Sequence, residues 1–71
     1  MEPEQLSRIE EQVWKEIGAA LCERRLALGL TQERLVERMP STPQTLGRRE
    51  HGRASSPEYL AAWASALGVD G

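Results

Sequence analysis

In the segment TPQTLGRREHG, residues 42–52, Gln44 and Arg48 stand four positions apart, with Arg49 and His51 close behind. On a helix this spacing puts Gln44 and Arg48 on one face. A carboxamide and a guanidinium can each form two parallel hydrogen bonds to a planar edge. The natural partners are adenine for glutamine and guanine for arginine, and each such contact discriminates by about 1–3 kcal/mol. Pro43 and Thr45 add apolar contact suited to a thymine methyl. Gly47 falls on the same side, at a cost of about 1 kcal/mol of helix propensity relative to alanine. That cost is explained by close approach to a partner, or else the position is an indifferent surface one.

Other chemistries lack their residues. No nucleophile stands beside a base, no cysteine–histidine cluster offers a metal site, and no glycine-rich loop is present to cradle a nucleotide. An enzyme, a cofactor and a small-molecule ligand are therefore not expected. Cys22 is the one cysteine, so an internal disulfide is impossible, and it reads as a small half-buried hydrophobe. His51 fits a helix C-terminus, where the dipole favours a cation.

Charge is distributed unevenly behind a net value of −2. Residues 1–23 carry Glu2, Glu4, Glu10, Glu11, Glu16 and Glu23 against Arg8 and Lys15. Residues 24–53 carry seven arginines against Glu33, Glu37 and Glu50. An acidic arm beside a basic middle suits a chain with one face turned toward a polyanion. Arginines that merely solvate helix faces would give the same pattern. The N-terminus is acidic and has no apolar secretory segment, so the expected location is cytoplasmic.

The elements that must position these residues are helices. Leu6, Ile9, Val13, Ile17 and Leu21, then Leu26, Leu30, Leu35, Leu46, Leu60, Trp63 and Leu67, recur at helical spacing, and nothing alternates with period two. Helix starts and stops are punctuated. The first helix is predicted from Pro3 to about Leu28, with Gly29 as the stop. The second follows Thr31 as N-cap over 32–39, ended by Pro40. The third follows Thr42 over 43–51, and the fourth covers PEYLAAWASAL, 57–67, closed by Gly68. Trp63 is expected in the core; Trp14 is either exposed or covers a seam.

GLTQERLVERM, then TPQTLGRREHGR, then YLAAWASALGV resembles the helix-turn-helix domain of the lambda-repressor and Cro type over residues 17–69. Its anchors are Arg25, Gly29, Thr31, Gln32, Leu35, Leu46, Glu50, Gly52 and ALGV at 66–69. The resemblance implies an all-α bundle of four to five helices at 16–71, preceded by a helical extension at 1–15. It also implies an ion pair between Arg25 and Glu50. The second helix of the motif would enter the major groove of double-stranded DNA. Pro43, Gln44, Thr45, Gly47 and Arg48 would then reach bases, and Thr31, Gln32, Thr42 and Arg53 phosphates. A homodimer on a palindromic operator, acting as a bacterial or phage repressor, is the expected biology. The alternative is a module or antitoxin that works through a regulatory partner protein.

Three departures from the family pattern stand out. Pro40 and Ser41 occupy the turn where a glycine and an apolar residue are usual, and proline cannot take a positive φ. Arg49 replaces a large apolar residue; it either snorkels, over a tryptophan for instance, or touches phosphate. The family's further C-terminal helix has no counterpart before Gly71, while Leu6, Ile9 and Val13 line one face of the N-terminal extension. That arm is expected either to cover the domain's own core or to pair two subunits.

Overall fold

A computed structural model of the protein describes residues 2–69. Met1, Asp70 and Gly71, which the expected segments 1–15 and 16–71 include, lie outside the described residues. Four helices follow one another: α1 Pro3–Ala27, α2 Gln32–Val36, α3 Pro43–Glu50 and α4 Pro57–Ala66. No strand occurs among the described residues, so the fold is all-α.

Local sequence explains where the helices begin and end. Thr31, Thr42 and Ser56 are N-caps whose hydroxyls accept from the backbone N–H three residues on, at 3.1, 3.2 and 3.1 Å. Such a cap contributes about 1 kcal/mol. Pro3, Pro43 and Pro57 take the first helical position, where a missing N–H costs nothing. The last residues of three predicted helices, Leu28, His51 and Leu67, are C-caps. After α1 and α3 the chain reverses through Gly29 at φ 72° and Gly52 at φ 108°. Leu30 N–H then reaches Arg25 O at 3.1 Å, and Arg53 N–H reaches Arg48 O at 3.2 Å, satisfying carbonyls the helices leave open.

The second helix is shorter than predicted, ending at Val36 and not at residue 39. Pro40 disfavours helical backbone at the residue before it. From Glu37 to Met39 each N–H bonds three residues back instead of four, to Arg34, Leu35 and Val36. This tighter winding ends with Met39 in the core, and no residue of the turn has positive φ. Ser41 pins the turn through a 2.7 Å hydrogen bond between its hydroxyl and that of Tyr59. The departure at Pro40 and Ser41 thus yields a turn without a left-handed residue.

Leu35, Met39, Leu46, Trp63 and Leu67 form the buried core, with Leu21, Leu30, Val36, Tyr59 and Leu60 packed around it. Leu35 and Leu46 meet there from the two helices of the motif. Trp63 is a core residue, edge-on to Tyr59 with ring centroids 6.1 Å apart. Arg24 Nε donates to Leu67 O at 3.4 Å, bringing a cation to the C-terminus of α4, which has no basic residue in its own last turn.

Helix α1 is one continuous rod, so the expected boundary at 15/16 falls inside it without a break. At about 1.5 Å per residue it spans nearly the full 40 Å length of the molecule. Its buried residues, Gly18 and Arg25, lie in its second half. Leu6, Ile9 and Val13 are 50, 48 and 44% exposed, so the arm does not cover the domain's own core.

Candidate nucleic-acid interface

The placement of α3 rests on one buried polar network. Arg25 of α1 donates from Nε to Glu50 Oε2 at 2.7 Å and from a terminal nitrogen to Oε1 at 3.3 Å. Gln32 of α2 donates its amide to the same Oε1 at 2.9 Å. A further Arg25 nitrogen donates to Leu30 O at 2.7 Å. The carboxylate at the end of α3 is thereby held by both preceding helices. The two charged side chains are only 9% and 3% exposed. The hydrogen bond that Arg25 donates to the Glu50 carboxylate raises the Arg25 pKa above its ordinary value, against the opposing effect of burial. A bidentate pair of this kind fixes geometry more than it adds net stability.

A glycine supplies the fit between α1 and α3. A Cβ at Gly18 would lie 2.6 Å from the carbonyl oxygens of both Arg49 and Glu50, so α1 rests directly on the backbone of α3. Nothing in the helical pattern around GAAL singles out Gly18; its role becomes visible only when the two helices are brought together. Lys15, one turn earlier, lays its stem against Gly52.

With α3 so anchored, Gln44 and Arg48 are exposed one turn apart, and Pro43 and Thr45 are half-buried beside them. Thr31, Thr42 and Arg53 are exposed, and Gln32 is half-buried. The Thr42 hydroxyl serves as cap and also donates to Thr45 Oγ1 at 3.1 Å. Gln32 has one amide N–H committed to Glu50, leaving its other donor and its oxygen. Gly47 packs against this amide, since an added Cβ would sit 3.4 Å from Gln32 Nε2. The closeness its residue type permits is therefore, within the chain, an approach of α3 to α2.

Arg49 lies over the ring of Tyr59, 5.2 Å from its centroid, so the aromatic partner is this tyrosine and not a tryptophan. A cation–π contact of this kind contributes about 0.5–1 kcal/mol or more as it is desolvated. His51 donates from Nδ1 to Gly47 O at 2.7 Å, closing the end of α3. Cys22 is half-buried with its sulfur 3.6 Å from Arg25. Trp14 is half-buried and borders a groove with Gly52, Arg53 and Ala54. Beside that groove, Glu11, Lys15, Arg48, His51, Gly52 and Arg53 line a cleft of about 480 Å³ between α1 and the end of α3.

Two short helices joined by a tight turn, the second exposing an amide and a guanidinium on its outer face, define a helix-turn-helix domain. A helix-turn-helix family model matches residues 23–71. The chain belongs to that family, the lambda-repressor and Cro type, whose members are DNA-binding regulators. No solved structure matches the chain. The first 22 residues, which carry Lys15 and Gly18, precede the matched segment.

Proposed function

We propose that this protein is a sequence-specific repressor that inserts α3 into the major groove of an operator. Gln44 reads adenine and Arg48 guanine, with Pro43 and Thr45 against a thymine methyl, while Gly47 keeps that face low. Thr31, Thr42, Arg53 and the remaining donor of Gln32 contact phosphates and set the register. The observation that carries this reading is the exposure of Gln44 and Arg48 on a helix held rigidly by Arg25, Gln32 and Glu50. A reading head that is fixed in advance loses little entropy on binding.

One such domain covers a half-site, so the operator reader is a homodimer on a palindrome. The exposed stripe of Leu6, Ile9 and Val13 favours the arm as the element that pairs two subunits. A module that acts mainly on a partner protein would use the same stripe and leave α3 idle.

Selection of bound duplexes from a random library tests the reading directly. A defined two-fold symmetric site is expected. Arg48→Ala should relax preference at one position per half-site, a loss of about 1–3 kcal/mol in discrimination, with the melting temperature unchanged because the side chain is exposed. No duplex retarded at micromolar protein and low salt would refute it in favour of the interaction module.

A further inference from the structure

Helix α1 stands mostly outside the segment matched by the family, yet it forms one wall of the cleft at the end of α3. Three cations converge there: Lys15 from α1, Arg48 from α3 and Arg53 from the loop behind it. The ion pairs among the described residues are Arg25 with Glu50 and Arg34 with Glu37, so none of the three has a carboxylate bonded to it. Against these three cations the cleft sets the one carboxylate of Glu11, and a concave wall of net positive charge raises the local density of anions.

Lys15 is also preorganised. A Cβ on Gly52 would fall 2.6 Å from Lys15 Cγ and 3.1 Å from its Cα, so backbone and stem are pressed against the end of α3. The entropy of holding the first part of this long side chain is therefore spent in folding, not in binding. Gly52 with a side chain would push Lys15 away.

We propose that this cleft seats a backbone phosphate of the bound duplex, gripped by Lys15 and Arg53, so that the leading helix α1 is part of the DNA interface. The proposal rests on the operator-reading role of α3. It extends that role because the seat adjoins Arg48: a phosphate held here and a base edge met by Arg48 belong to one complex. His51, with Nδ1 engaged by Gly47 O, contributes the rim through the rest of its ring. Glu11 lines the same cleft and Glu10 the neighbouring groove, so the arm beyond Lys15 repels the next phosphate. The seat thus marks the edge of the footprint, and Glu11 weakens it.

The test uses the full chain and the duplex selected by the wild-type protein, with affinity measured by fluorescence anisotropy across a salt series. Each phosphate neutralised contributes about 0.9 to the slope of log affinity against log salt. In a homodimer, which carries two such seats, Lys15→Gln should flatten the slope by about 1.8 and weaken binding roughly sixtyfold near 0.1 M salt, with base preference intact. Lys15→Arg should restore both. Glu11→Gln, at an exposed position, should tighten binding, and Glu11→Lys, changed in both subunits, should steepen the slope by about 1.8.

Wild-type slope and affinity in Lys15→Gln would overturn the phosphate seat while leaving the operator reading standing. If Lys15→Gln fails to fold, unchanged salt dependence in Glu11→Lys overturns it instead. Failure of the wild-type protein to bind any duplex would fell the operator reading first. Millimolar inorganic phosphate that shifts the Lys15 and Arg53 resonances, with duplex binding indifferent to Lys15→Gln, would assign the cleft to free phosphate and refute the proposal.

Discussion

Replacing Glu50 by glutamine removes one charge from the network that positions α3, and the expected damage follows from counting donors. Two Arg25 nitrogens and the Gln32 amide all donate to the two carboxylate oxygens of Glu50. A glutamine there offers one oxygen and one NH2 group, so at least one donor faces another donor. Arg25 keeps its charge, being 9% exposed in its side chain, and retains as undisturbed acceptors Leu30 O and the weakly accepting sulfur of Cys22. Breaking a buried pair by removing one partner costs about 3–5 kcal/mol. The surviving bond to Leu30 argues for the lower end, about 3 kcal/mol. A domain of 71 residues is stable by roughly 4–10 kcal/mol, so the variant should keep little reserve.

In a domain this small, 1 kcal/mol moves the melting temperature by about 4–8 °C, which predicts a fall of about 10–25 °C. Circular dichroism at the helical minimum during a thermal ramp reads it. The double replacement Arg25→Met with Glu50→Leu should return to within about 1 kcal/mol of wild type, since desolvation of both charges then vanishes with their attraction. A loss under about 1 kcal/mol in Glu50→Gln would refute the claim that this pair anchors α3. Titration cannot substitute for mutation on the arginine side. Its raised pKa means that the stability it carries is fully present below its ordinary value and is lost only in more alkaline solution.

Gly18→Ala should lower the melting temperature, because the new methyl meets two backbone carbonyls at 2.6 Å. Helix propensity alone would raise stability by about 1 kcal/mol, so the sign of the change decides between the two. Tyr59→Phe removes the 2.7 Å bond to Ser41 and should cost about 1 kcal/mol in urea unfolding, with the stack under Arg49 kept. Ile9→Glu, in the middle of the exposed stripe, should convert a dimer to a monomer in sedimentation equilibrium without lowering the stability of the body. A dimer that survives it would place the subunit contact elsewhere.

Helix number, helix type and most helix ends were legible because they depend on neighbours in the chain. Thr31, Thr42 and Ser56 cap locally, prolines begin helices, and Gly29 and Gly52 end them, each through backbone preferences a few residues long. The exception is α2, whose last turn tightens ahead of Pro40 so that Met39 reaches the core. The candidate reading face was legible for the same reason, since the separation of Gln44 from Arg48 is a property of one helix.

What the chain alone determined is thus a set of four helices and the faces they carry. Only tertiary packing decided how those faces are used. Arg49 found Tyr59 in place of a tryptophan, Gly47 turned its bare side to Gln32, and Gly18 became the contact that seats α1 on α3. The stripe of Leu6, Ile9 and Val13 was left in solvent, and Lys15 was brought beside Arg48 and Arg53. These outcomes depend on distances between residues far apart in sequence, set by close packing of whole helices. No local preference encodes them.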